Sequence, residues 1–302
     1  MMNGALFTRS LELLAEEFQA LPDKPNETPE STLRAIWFAA AGNPRGIERS
    51  QATDLPTLDE KGRSRLAEMI AQRRAGVPLA HLTGRQDFLG IEFLVSPDAL
   101  IPRRETEILG RAVLGLLSEF RRNGSPLTIV DVCTGSGNLA LAFAHHDPEC
   151  EVHAADLSPE AVALASRNAA ALGLEDRVRF HTGDLFEPFV TELKNRVDVI
   201  SCNPPYISSA RISEMPDEIS NHEPQVAFDG GPFGIRILSR LVKESQRLLK
   251  SGSWLCFEVG RGQGPGAQKL LAGSPAFEEV RTYHDDDGEI RALAARTGQP
   301  DS

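Results

Sequence analysis

Cysteine is scarce in this chain of 302 residues: Cys133, Cys150, Cys202 and Cys256 are the four present, and no two form a C-x-x-C pair. That excludes a disulfide-stapled framework and leaves free thiols beside apolar segments, suited to a reducing compartment. The seven histidines are scattered, no zinc-type spacing occurs, and no metal is expected. Positive charge is in short supply, with 32 Lys and Arg against 43 Asp and Glu and a net charge of −11. A protein that grips nucleic acid by bulk basic charge is excluded, although a small basic patch is not. No apolar run approaches the roughly 20 residues of a membrane span. The first twenty residues carry Arg9, Glu12, Glu16 and Glu17 and lack the basic start and apolar run of a secretory signal. The expectation is a soluble, cytoplasmic protein.

What is present reads as two kinds of pattern. Leu6, Leu11, Leu13, Leu14 and Phe18 recur at helical spacing. Ser31 and Thr32 can cap a second helix carrying Leu33, Ile36, Trp37 and Phe38, and a third is expected from about Leu58 to Arg74. Residues 1–85 are thus expected as a small helical bundle. Residues 86–101, with Phe88, Ile91, Phe93 and Val95 around Gly90, read as a hairpin linker. From 102 to 302 strand and helix patterns alternate. Expected strands are Leu127–Cys133, Glu151–Ala155, Arg177–Thr182, Val197–Ser201, Ser253–Val259, Phe277–Tyr283 and Ile290–Ala295. Helical patterns fill 138–146, 158–172, 234–250 and 264–272. Such alternation predicts an α/β fold, a mostly parallel doubly wound sheet of seven strands, whose last two pair as an antiparallel hairpin.

Three strand ends carry the chemistry of a nucleoside pocket. Asp131-Val132-Cys133-Thr134-Gly135-Ser136-Gly137 follows the first strand and opens a helix, where small residues let a ligand approach the backbone. It is not a G-x-G-x-x-G fingerprint. Asp156 ends the next strand and can take both ribose hydroxyls, or merely cap the helix beginning at Ser158. Asp184 can accept from an adenine amino group while Leu185 and Phe186 face the ring, or it is a solvated turn residue. Together these features describe an adenosine pocket of the S-adenosylmethionine type. Its expected contacts are Asp131, Cys133, Thr134, Gly135, Ser136, Gly137, Asp156, Leu157, Asp184, Leu185, Phe186 and Asn203.

The fourth strand of the sheet runs into Asn203-Pro204-Pro205-Tyr206. Two prolines fix the backbone and remove two N–H donors. The Asn203 side chain and the Pro204 carbonyl can then accept from an incoming –NH2 group, and Tyr206 offers a flat face to a planar amide or base. Asn203, Pro204 and Tyr206 are the expected catalytic residues, with Pro205 in the substrate site.

This turn resembles the N-P-P-Y motif of amino-methyltransferases. The whole chain resembles the HemK family of protein-(glutamine-N5) methyltransferases that act on peptide chain release factors. The matching pieces are Arg73–Leu79, Phe88-Leu89-Gly90, Leu100–Glu107, the loop at 131–137, Asn203–Tyr206, His222-Glu223-Pro224, Gly230-Gly231, Glu258-Val259-Gly260 and Asp285-x-x-Gly288-x-x-Arg291. Cys133 stands where the family usually has Gly, and Arg104 where it has Pro. The resemblance implies a class I S-adenosylmethionine-dependent methyltransferase domain behind a helical substrate-recognition domain. It implies direct methyl transfer to a glutamine in the Gly-Gly-Gln loop of a release factor. A monomer with neither metal nor nucleic-acid substrate is expected. A ribosomal-protein glutamine and an adenine in nucleic acid are the alternative acceptors. Lys61, Arg63, Arg65, Arg73 and Arg74 read either as a basic face toward an acidic partner or as a solvated one. Arg103, Arg104, Glu105 and Glu107 read as braces of the domains or rim.

Overall fold

The computed structural model describes residues 2–16, 18, 24–120, 126–207, 218, 222–228, 230–231 and 236–298, and it divides into two compact units. The first unit contains the helices α1 (Met2–Ala15), α2 (Pro29–Ala40), α3 (Ile47–Gln51), α4 (Glu60–Arg74) and α5 (Leu79–Thr83). The hairpin of β1 (Arg85–Phe88) and β2 (Ile91–Leu94) groups with them, pairing antiparallel with Phe88 opposite Ile91. Phe18 lies past the end of α1. The cap of α2 is Thr28, three residues before the expected Ser31. Thr28 accepts from the Ser31 N–H, the Ser31 hydroxyl accepts from the Thr28 N–H, and Pro29 takes the first turn. This reciprocal cap outcompetes a later start because it satisfies two otherwise unpaired donors. Leu33, Ile36 and Trp37 of α2 then meet Leu14, Leu66 and Ile70 in one core. The Trp37 indole N–H, sealed from water, donates to the Pro56 carbonyl at 2.8 Å.

The basic face expected on α4 is largely engaged within this unit. Arg65 donates to the Ala40 carbonyl at 2.8 Å. Arg73 is nearly buried between Glu27 and Glu218, and Arg74 lies 3.9 Å from Glu16. A guanidinium that loses water must find an acceptor, so Arg73 is committed to the fold, while Arg65 and Arg74 stay exposed. Arg103 and the Ile101 N–H likewise converge on the buried Glu223 carboxylate.

The second unit is a seven-stranded sheet built from β3 (Thr128–Val132), β4 (Glu151–Asp156), β5 (Val178–Thr182), β6 (Val197–Cys202), β7 (Leu249–Glu258), β8 (Phe277–His284) and β9 (Ile290–Thr297). Their order is β5-β4-β3-β6-β7-β9-β8. The first five pair in parallel and β9 runs antiparallel to both neighbours. Around the sheet stand α6 (Thr106–Phe120), α7 (Asn138–His146), α8 (Pro159–Leu172), α9 (Arg236–Glu244) and α10 (Gly264–Ala272). Every residue of β6 is buried, as befits a central parallel strand covered on both faces. Leu238 and Leu241 of α9 and Leu271 of α10 pack with Val130, Ile200, Leu255 and Phe257. Helix α8 has the expected limits: Ser158 caps it, Pro159 opens it and Gly173 ends it in the left-handed conformation.

A further boundary difference lies in this unit. The helical pattern expected over 234–250 stops at Glu244, a short 3-10 turn covers Ser245–Arg247, and β7 begins at Leu249. Leu248 and Leu249 are both buried, so apolar spacing alone does not separate the last turn from the first strand residue. An irregularity lies between the pairs Val197–Leu249 and Val199–Trp254, where Gly252 takes a φ of +75°. Among the described residues no helix is long and apolar enough to cross a membrane. Because Leu255 is fully buried in the sheet, Leu255→Ala is expected to cost about 2–5 kcal/mol by chemical denaturation.

Candidate active site

The strand order reverses between β3 and β6, and the carboxyl ends of parallel strands at such a point form a crevice. The loop after β3 turns through Cys133, Gly135 and Gly137, all at positive φ. A Cβ on Gly137 would come within 3.0 Å of the Ala165 side chain, so glycine is required there for packing as well as for conformation. The loop is braced from beneath. Asp131 is sealed from water and accepts from the Thr134 hydroxyl at 2.6 Å. Burial pushes its carboxyl up to about 7. Beside it, the Asp156 carboxylate accepts from the Gly135 N–H at 2.8 Å and the Ser158 N–H at 3.0 Å. Burial also raises the Asp156 carboxyl, while these backbone donors hold it down.

These contacts divide the expected cofactor residues. Cys133, Gly135, Asp156, Asp184 and Asn203 keep partial exposure at the strand ends, and Leu157 is 60% exposed. Over Gly135 a Cβ would meet nothing within 4 Å, so open space faces the loop. A half-buried acid beside an uncovered leucine and an accessible backbone suits a ribose and an apolar ring, and the residues fit a nucleoside. Asp131, Thr134 and Ser136 are instead buried. They support the loop, and the Ser136 carbonyl accepts from Asn168 at 3.0 Å. Leu185 and Phe186 are also turned inward. Leu185, at φ +49°, and Phe186 are 5% and 1% exposed and pack within the main core rather than standing open at the strand end. The pull is hydrophobic: a phenyl ring gains more from the packed core than from a rim. Asp184 stays partly exposed but is engaged, because Arg240 of α9 donates to both its oxygens at 3.1 and 2.9 Å.

The turn after β6 is held at both ends. Asn203 donates from Nδ2 to the Thr106 hydroxyl oxygen at 3.1 Å. Tyr206 donates its hydroxyl proton to Glu258 Oε1 at 3.0 Å, and Gln263 donates to the Tyr206 carbonyl at 2.8 Å. The Tyr206 ring lies so close to Gly260 that a Cβ there would stand 2.9 Å from it. Glu258, Gly260, Gln263, Thr106 and Arg240 carry no role in the sequence reading. A glutamate closing the apolar run Trp254–Phe257 was the available signal for Glu258. Burial lifts the Glu258 carboxyl from 4.5 to about 7, and nearby Glu105 adds to this, while Thr106, Arg291 and Tyr206 oppose it.

A doubly wound sheet of this strand order, with a glycine loop after β3 and an acid at the end of β4, defines an S-adenosylmethionine-dependent methyltransferase. Comparison with known proteins agrees. The methyltransferase small domain family model matches residues 110–235. The release factor glutamine methyltransferase of Moorella thermoacetica is 36% identical over 259 residues, 86% of this chain and 87% of that protein. Its Bacillus subtilis counterpart is 34% identical, covering 83% of this chain and 86% of that protein. Among solved structures, the hMettl16 catalytic domain in complex with the MAT2A 3′UTR hairpin 6 superposes with a TM-score of 0.53. It is 16% identical over 78% of this chain and 83% of its own, a likeness of fold. The chain belongs to the family of release factor glutamine methyltransferases.

The buried Glu258 yields a signed prediction. Its carboxyl titrates higher in the fold than in the unfolded chain, so its contribution to stability is complete below 4.5 and is lost as pH rises through about 7. Glu258→Gln keeps an acceptor for Tyr206 and removes the ionised form. It is expected to stabilise the protein at pH 8 by about 1–3 kcal/mol, with little gain at pH 4.5. Thermal melts at the two pH values check this, and equal gains would contradict it.

Proposed function

We propose that this enzyme methylates the side-chain amide nitrogen (N5) of a glutamine in peptide chain release factors, within their Gly-Gly-Gln loop, acting as a cytoplasmic monomer. The observation that carries the reading is the Asn203–Tyr206 turn, fixed at the end of β6 beside the glycine loop of β3. The names of the curated relatives support the choice of acceptor.

When bound, S-adenosylmethionine supplies an electrophilic methyl group on a sulfonium. Cys133, Gly135, Asp156 and Leu157 form the open part of its site, with Asp156 offering its remaining lone pairs to ribose hydroxyls. An amide nitrogen is a weak nucleophile because its lone pair is conjugated. Alignment therefore does most of the catalytic work, and positioning of this kind lowers a barrier by several kcal/mol. The Asn203 side-chain oxygen and the Pro204 carbonyl accept from the two amide N–H bonds and aim the lone pair at the methyl carbon. Tyr206, anchored through its hydroxyl, packs the plane of the amide, and Pro205 keeps the turn rigid. Formation of the N–C bond would be matched by cleavage of the methyl–sulfur bond, leaving a neutral thioether, and the amide proton, acidic only at that stage, would pass to water, so no strong base is needed beforehand. The helical segment, residues 1–85, grips the protein substrate, and residues 102–302 carry out the transfer.

Intact-mass spectrometry of a purified release factor, incubated with the enzyme and S-adenosylmethionine, tests this. The expected result is a gain of one methyl group, mapped by fragmentation to the glutamine of the Gly-Gly-Gln loop. Methylation of a ribosomal protein instead would overturn the acceptor, and methylation of no protein would overturn the reading. Asn203→Ala is expected to slow single-turnover methylation about 100-fold, since it removes one preorganised hydrogen-bonding group.

A further inference from the structure

The Asn203 amide has two chemically opposite ends, and only one orientation is useful to an incoming –NH2 group. Nδ2 donates and Oδ1 accepts. If the amide turned over, two sets of donors would face each other and the acceptor N–H would lose its partner. Nothing within the Asn203-Pro204-Pro205-Tyr206 turn itself decides between the two orientations. The decision comes from Thr106, the first residue of α6, which is 2% exposed and lies 97 positions away in sequence.

We infer that Thr106 is a positioning residue that fixes the polarity of the Asn203 amide, holding Nδ2 at its own hydroxyl oxygen so that Oδ1 is presented to the substrate –NH2 group. The inference rests on the glutamine reading above. The threonine hydroxyl carries one proton and two lone pairs. Glu258 stands beside it, an acceptor-only group when ionised, and the Thr106 hydroxyl stabilises that ionised form. Glu258 Oε2 is buried with no hydrogen-bond partner among the described residues, so the Thr106 hydroxyl proton has an acceptor to turn toward and a lone pair is left for Asn203. A donor at Asn203 is then the only match. Glu258 also receives the Tyr206 hydroxyl, so a single buried carboxylate orders both ends of the turn. Valine has the shape of threonine and no hydroxyl, which makes the role separable from packing.

The test is single-turnover methylation of a release factor by Thr106→Val and Thr106→Ser, with cofactor affinity measured by calorimetry. Thr106→Val is expected to slow methyl transfer about 100-fold, the scale of one preorganised hydrogen-bonding group, while the release-factor KM and cofactor Kd move less than about threefold. Thr106→Ser is expected to restore the rate to within about fivefold of the wild type. Because Thr106 acts through Asn203, the double variant Thr106→Val, Asn203→Ala is expected to be no slower than Asn203→Ala alone. A purely structural role would instead slow the double variant further or weaken cofactor binding in parallel. A wild-type rate in Thr106→Val, or additive losses in the double variant, overturns the inference and leaves the glutamine reading standing. A wild-type enzyme that leaves release factors unmethylated overturns both.

Discussion

A carboxylate withdrawn from water must draw its hydrogen bonds from the chain around it, and this requirement shapes the catalytic face of the sheet. Asp131, Asp156 and Glu258 end or nearly end three of its strands. Each is met by a loop that must approach in one particular way: Thr134 on Asp131, Gly135 and Ser158 on Asp156, Tyr206 on Glu258. The loops are therefore fixed before any ligand arrives. Fixed loops are what alignment chemistry needs, since weak nucleophiles react only from restricted geometries. The elevated carboxyls of Asp131 and Glu258 show what this arrangement costs in stability.

The same pattern gives the site a division of labour. Groups with exposed surface, Gly135, Asp156, Leu157 and Asn203, are the ones a ligand can reach. Behind them Thr106 holds Asn203, Thr134 holds Asp131 beneath the glycine loop, and Glu258 with the half-buried Gln263 holds Tyr206. Two glycines belong to this support because of what they lack. A side chain at Gly137 would strike α8, and one at Gly260 would displace the Tyr206 ring.

In the first unit, charge is handled in the same way with a different result. Arg73, which reads in sequence as part of a basic or solvated face, is committed to Glu27 and Glu218, and Arg103, which reads as a brace, to Glu223. A run of arginines on a helix is a statement about composition. Whether it faces solvent depends on which acids later parts of the chain bring to it.

Local chemistry was sufficient for much of this protein. The alternation of apolar runs with capped helices determined the α/β sheet, Ser158, Pro159 and Gly173 determined the limits of α8, and Asn203–Tyr206 is the turn on which the proposed amino-group chemistry rests. Each rests on neighbours in sequence, where periodicity and turn geometry act directly. The tertiary structure alone decided which of the expected residues face the crevice. Phe186 and Asp131 look like ligand contacts when read along the chain, yet one is drawn into the core and the other beneath its loop. It also brought Arg240 to Asp184, 56 residues apart, and Thr106 to Asn203. Burial and long-range hydrogen bonds depend on how distant segments pack, and no pattern confined to one segment carries that information.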